Sequence, residues 1–297
     1  MRTWLTRRRL VVALGLLLAT VAAAGLGLYA WLLADLPRLN TPAEDLHGYA
    51  AAPSSKIYDR YGRLLFEMPP PYTGRHTPVP LEEMPLALRQ ALVATEDATF
   101  YQNPGVDGWA IVRALWINLR GGEILSGGST LTQQLARNLL LSPEERYERT
   151  LRRKLREAVL AWRMARHYSK DEILALYLNE IYFGNMAYGV EAAAQAYFGK
   201  HVRDLDLAEC ALLAGLPQSP AYYNPLENLE AAQERQGVVL DLMVKQGYVT
   251  AQEADLARRE KLYFASAPFD IQAPHFVMYV RGQLEQALGL ERLEQGG

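Results

Sequence analysis

The chain has little that would support redox or metal chemistry. Cys210 is the only cysteine in 297 residues, so an internal disulfide is excluded. Its neighbours Ala208, Glu209, Ala211, Leu212 and Leu213 mark it as a small buried hydrophobe instead of a reactive thiol. The five histidines, His47, His76, His167, His201 and His275, are scattered without paired-histidine or cysteine spacing, so no structural zinc or other resident metal site is expected. Neither Ser-x-x-Lys nor Lys-Thr-Gly occurs anywhere, which removes the residues that acyl-serine chemistry needs. The net charge of −2 provides no global field for nucleic acid, so no nucleic-acid partner is expected and any anionic partner must be met by a local basic patch. There is no internal repeat and no low-complexity tract.

Half the residues are hydrophobic, enough for one good-sized core or two small ones. From Leu10 to Ala34 there is no charge. At roughly 1.5 Å per residue a helix of that length exceeds the ~30 Å hydrocarbon core of a bilayer. Arg2, Arg7, Arg8 and Arg9 precede it and Asp35 follows, which places residues 1–9 in the cytoplasm and everything after Asp35 outside. Trp31 and Tyr29 suit the interfacial belt. Ala22-Ala23-Ala24 offers a cleavage site to the rival reading, a signal peptide, although the apolar run is longer than a usual signal core. Residues 35–55, with Pro37, Pro42, Pro53, Ser54 and Ser55, read as a tether. Lys56–Asp59 and Arg63–Phe66 flank Arg60-Tyr61-Gly62 as a β-hairpin, expected to be the only early sheet.

The rest reads as helix. An oxygen-bearing cap followed three positions later by glutamate occurs at Ser142/Glu145, Ser169/Glu172, Asp206/Glu209 and Thr250/Glu253. Helices are expected over 86–96, 108–119, 130–140, 170–182, 189–198, 207–214, 229–246 and 275–288. In the helix after Ser142, the apolar positions Tyr147, Leu151, Leu155, Ala158, Trp162 and Ala165 predict a core stripe.

Three stretches carry polar groups in suggestive patterns. Between Arg146 and Lys170 stand nine cations against Glu148 and Glu157. As a bare charge run this is a solvated helix face. Glu157, however, has Arg153 four residues before it and Lys154 three before it, spacings that bring side chains together on a helix and suit a diphosphate site. Glu96 and Asp97 close the helix begun at Pro85, where the dipole and the mutual charge disfavour ionisation, as a general base requires. The glycine-rich run from Arg120 through Gly127-Gly128 enters Ser129-Thr130-Leu131-Thr132-Gln133-Gln134 at a helix start, where free backbone donors can meet an anion. The amides of Gln133 and Gln134 can fix sugar hydroxyls, and Arg137 extends the cationic surface.

The order and wording of Glu96-Asp97-Ala98-Thr99-Phe100 with Gly105, of Gly127 through Gln134, of Arg153 through Glu157, of Lys170 through Asn179 and of Arg235 through Leu240 resemble the peptidoglycan glycosyltransferases of glycosyltransferase family 51. These occur in class A penicillin-binding proteins and monofunctional relatives. Two positions depart from the family's pattern: Asn103 stands where histidine is usual, so the resemblance implies no proton-relay role there, and Gln236 stands where a second arginine is usual.

The resemblance implies a mainly α, lysozyme-like glycosyltransferase domain over residues 56–290 with a short β-hairpin, preceded by a transmembrane helix at 10–34. Residues 291–297 would be a tail or the start of a linker to a missing domain, since Pro274-His275-Phe276-Val277 looks like the family's connection toward a transpeptidase. It also implies polymerisation of lipid II into β-1,4-linked glycan strands with inversion and release of undecaprenyl diphosphate. Glu96 would be the general base and Glu157 the second catalytic carboxylate. Asp97, Phe100, Gly128, Ser129, Thr130, Gln133, Gln134, Arg137, Asn138, Arg153, Lys154, Lys170 and Asn179 would bind substrate. No cofactor is required, although a divalent cation such as Mg2+ could sit at the diphosphate. Implied partners are lipid II, the growing strand, the membrane and other cell-wall synthesis proteins. The implied location is the cytoplasmic membrane, single-pass, with the catalytic domain on its outer face. Two alternatives are a membrane-anchored lysozyme-like glycan-cleaving enzyme, for which the basic helix has no use, and a non-catalytic membrane scaffold.

Overall fold

Capping residues set the helix starts. In this computed structural model, which describes residues 2–33, 36–37, 54–68, 74–108, 129–148, 150–265 and 272–288, the expected boxes at Ser169, Asp206 and Thr250 close in both directions. So does one at Thr130 with Gln133. The expected helix over 108–119 beyond Gly108, the loop with Gly128, most of the tether and the tail at 291–297 lie outside the described residues.

In chain order, α1 is Arg2–Leu33, β1 Ser55–Tyr58, β2 Leu64–Met68, β3 Arg75–His76, α2 Leu86–Glu96 and α3 Leu131–Leu140. After these come α4 Pro143–Arg146, α5 Leu151–His167, α6 Lys170–Glu180, β4 Ala187–Tyr188, α7 Val190–Phe198 and α8 Leu207–Gly215. The last three are α9 Leu229–Lys245, α10 Ala251–Arg259 and α11 Pro274–Leu288. Within α1, Leu14–Leu33 is long and apolar enough to cross a membrane.

β1 and β2 pair antiparallel around Gly62, whose φ of 78° the turn requires, and Asp59 accepts the backbone N–H groups of Tyr61 and Arg63. A second sheet was not expected: β3 pairs in parallel with β4, more than a hundred residues away. Two-residue strands carry too little pattern to be read from sequence.

The core forms where α8, buried from Ala208 to Gly215, is packed by α2 and α9, while α3 packs on α5 and α6. Fully buried Tyr177, Tyr197, Phe100 and Phe183 anchor it, each contributing roughly 1.5–3 kcal/mol by leaving water. Cys210 lies in this core, where burial pushes its thiol pKa up.

The stretch after Ser142 departs from the expected single helix. α4 ends at Arg146, and Thr150 caps a new helix by accepting from the Arg153 N–H. The expected core stripe is wrong as well. Tyr147 and Leu151 are 87% and 76% exposed, and Leu155 and Trp162 are exposed too, whereas Arg156, Glu157, Leu160, Ala161 and Met164 are buried. Burial here follows pairing: Arg156 meets Glu145 at 2.8 Å and Glu157 meets Arg153 and Lys154. Charges with partners can sit inside, which a hydrophobic pattern cannot register.

Candidate active site

Glu96 ends α2, half-buried, and its position is fixed by a chain of hydrogen bonds. Gln134 Nε2 donates to Glu96 Oε2 at 2.7 Å, and the Tyr177 hydroxyl donates to Gln134 Oε1 at 3.0 Å. Tyr177 is wholly buried, and burial, reinforced by the charge of Glu96, holds its hydroxyl well above the usual phenol range. It therefore stays a neutral donor, and the orientation of the Gln134 amide follows from it.

Asp97 turns the other way. Its Oδ1 and Oδ2 each accept from Asn103 Nδ2 at 3.0 Å, and Oδ2 also accepts from the Leu131 N–H at 3.2 Å. The carboxylate thus fastens the C-terminal end of α2 to the first turn of α3. Burial raises its pKa, against the lowering effect of these hydrogen bonds. Lys170 reaches the same loop, donating to the Asn103 carbonyl at 2.8 Å and resting 4.6 Å over the Phe100 ring. Burial lowers its pKa, against the pull of Asp97. Gly105 closes the loop onto α5: its φ is 92°, and a Cβ there would lie 2.5 Å from the Ala161 carbonyl oxygen.

The second carboxylate, Glu157, is fully buried on α5. Arg153 Nη1 donates to its Oε2 at 2.8 Å and Lys154 Nζ to its Oε1 at 2.5 Å. Lys154 Nζ also donates to Ser129 Oγ at 2.5 Å. Glu96 and the Glu157 cluster therefore attach to the same short stretch of chain, at Gln134 and at Ser129. Along α3, half-buried Gln134, Arg137 and Asn138 share one face at i, i+3 and i+4.

The structure thus sorts the expected substrate contacts. Ser129, Gln134, Arg137, Asn138, Arg153 and Lys154 are half-buried, with Gln134 bonded to Glu96, Arg153 and Lys154 to Glu157, and Ser129 to Lys154. Asp97, Phe100, Thr130, Gln133, Lys170 and Asn179 are occupied within the protein. Thr130 donates to the Gly105 carbonyl, Gln133 Oε1 accepts from the Thr130 N–H, and the Asn179 side chain exchanges hydrogen bonds with both backbone groups of Val79. Gly128 lies outside the described residues. Sequence reasoning missed Tyr177, which reads as one more apolar position in a leucine-rich helix. Gln236, the other departure, is buried and donates to the Ala208 carbonyl at 2.8 Å, joining α9 to α8.

The two anchored carboxylates and the paired cation cluster thus share one mainly helical domain that follows a long apolar helix. The sequence profile of the family described as Transglycosylase matches residues 62–244, and the chain belongs to that family. It is 43% identical to penicillin-binding protein 1A of Aquifex aeolicus over 255 residues, 86% of this chain and 34% of that protein. It is 41% identical to penicillin-binding protein 1A of Escherichia coli over 272 residues, 91% of this chain and 31% of that one. The chain spans about a third of the length of these relatives. A crystal structure of penicillin-binding protein 1A from Haemophilus influenzae is similar at 28% identity and a TM-score of 0.45, covering 82% of this chain and 25% of that one.

Proposed function

We propose that this chain is a peptidoglycan glycosyltransferase that polymerises lipid II into β-1,4-linked glycan strands and releases undecaprenyl diphosphate. The observation that carries this reading is the attachment of two different carboxylates to one stretch of chain, with Glu96 poised on Gln134 and Glu157 holding Arg153 and Lys154 beside Ser129.

In the reaction, Glu96 takes the proton from the 4-hydroxyl of the acceptor's N-acetylglucosamine as that oxygen attacks the anomeric carbon of the growing strand. The bond to the diphosphate breaks with inversion. The departing diphosphate is already a good leaving group, so it needs charge stabilisation more than protonation. Arg153, Lys154 and Arg137 supply that charge, and Gln134 and Asn138 hold sugar hydroxyls. A glycosidase expelling an alkoxide would need an acid in their place. A divalent cation such as Mg2+ would arrive on the diphosphate itself, because both oxygens of Glu157 are already engaged by cations.

The reading places α1 across the cytoplasmic membrane with residues 56–290 as the catalytic domain on its outer face, in reach of a lipid-linked substrate. The test is incorporation of labelled lipid II into polymer by the purified chain. Polymer that depends on Glu96 supports the reading, and its complete absence under conditions where a relative is active contradicts it.

A further inference from the structure

A helix leaves its last carbonyl groups without internal partners, and at a membrane surface those groups need donors from elsewhere. At the outer end of α1, Arg152 donates to the Trp31 carbonyl through Nε at 3.3 Å and Nη2 at 3.2 Å, and Arg156 Nη1 donates to the Leu32 carbonyl at 3.3 Å. The Leu33 carbonyl is taken by the Leu36 N–H at 3.2 Å. The Arg152 guanidinium also lies 5.4 Å over the Trp31 ring. Two cations therefore sit on the negative end of the α1 dipole, where charge and hydrogen bonding act together. Arg156 is held in turn by Glu145 at 2.8 Å.

Their position on α5 matters for the site. Successive residues on a helix are rotated by about 100°, so three strips lie side by side around α5. Exposed Leu151, Leu155 and Trp162 form the first, and Arg152 and Arg156, gripping α1, form the second. Arg153 and Glu157, with Lys154 beside them, form the third. The grip lies where the long apolar helix ends, the exposed apolar strip is its neighbour on one side, and the cation cluster adjoins it on the other within one helical turn of about 5.4 Å.

We propose that Arg152 and Arg156 are positioning residues that fix Arg153, Lys154 and Glu157 at a set height over the bilayer by holding the outer end of α1. The cations then meet a diphosphate whose lipid tail is still in the membrane. This rests on the functional reading above and adds a condition to it: the grip matters for a substrate held by the bilayer and not for one free in solution.

The variant is Arg152→Met, which keeps the length and apolar stem of a half-exposed side chain outside the catalytic groups. The full chain is placed in lipid nanodiscs with a long-chain lipid-linked disaccharide diphosphate, and in detergent with a short-chain, water-soluble counterpart. In nanodiscs KM rises about tenfold with kcat unchanged, the effect of losing one charged hydrogen-bonding pair. With the soluble substrate KM stays within about twofold of the parent, since no height is imposed there. Equal losses with both substrates, or no loss with either, overturn the proposal. A second measurement stands apart from turnover. A nitroxide on Leu151→Cys, with buried Cys210 left unlabelled, reports depth through its relaxation by lipid-soluble and aqueous agents. The proposal expects Arg152→Met to shift that depth, and an unchanged depth overturns it. If the parent chain fails to polymerise either substrate, the functional reading falls and the depth measurement alone decides the grip.

Discussion

Replacing Glu157 with glutamine keeps the shape of the side chain and removes a charge that is itself closed off from water. The carboxylate is buried between Arg153, whose side chain is 15% exposed, and Lys154, at 36%. Lys154 can recover part of its hydration when the carboxylate is lost and Arg153 less of it, so the cost falls mainly on the arginine. Removing one partner of a buried ion pair costs about 3–5 kcal/mol, and partial exposure on the lysine side places the expected loss near the lower end, about 3 kcal/mol. Urea denaturation of the detergent-solubilised chain, followed by circular dichroism, reads this as a lower midpoint at unchanged slope. In a double-mutant cycle, Arg153→Gln added to Glu157→Gln costs less than the sum of the single changes, with a coupling of roughly 1–3 kcal/mol. A Glu157→Gln chain within about 0.5 kcal/mol of the parent would refute the argument, because it would mean that the cations do not depend on the carboxylate.

Tyr177→Phe removes the donor that orients the Gln134 amide, so kcat should fall about three- to tenfold with KM little changed, measured as polymer formed per unit time. A parental rate would show that Gln134 is held by something else. Asn103→Asp sets two carboxylates face to face in a buried position. Burial already raises the pKa of Asp97, so the folded chain binds more protons than the unfolded one above the ordinary value of 3.8, and stability falls as pH rises through that window. A second carboxylate raises the folded pKa further and extends the fall. Denaturation midpoints should therefore drop more steeply in the variant than in the parent as pH rises above the ordinary carboxylate value, and parallel pH profiles would contradict the Asp97 geometry.

The helices of the fold were legible because caps and periodicity are local signals. Ser169, Asp206 and Thr250 announced α6, α8 and α10, and the apolar run from Leu10 announced α1. Errors appeared where charge pairing or a distant strand, and not apolar periodicity, decides what is buried or paired. The apolar stripe through Tyr147, Leu151 and Trp162 reads as core, yet the side of α5 that is buried carries Arg156 and Glu157, paired with Glu145, Arg153 and Lys154. The β3–β4 pair joins segments too short and too far apart to have a pattern. At the site, the groups were found as motifs but their division was not. Asp97, Lys170 and Asn179 read as substrate contacts along the chain, and the structure adds hydrogen bonds to Asn103, Leu131 and Val79 that no linear pattern registers.

The central claim is that Glu96 removes the acceptor proton while the cations around Glu157 take the departing diphosphate. Glu96→Gln tests it most directly, because the amide keeps the size of the side chain and loses the basic oxygen. Binding of lipid II and its polymerisation are measured on the same preparation. The account predicts parental binding with polymerisation lowered by about 10²-fold or more, the loss expected for a positioned general base. A Glu96→Gln chain that polymerises lipid II at close to the parental rate would contradict it.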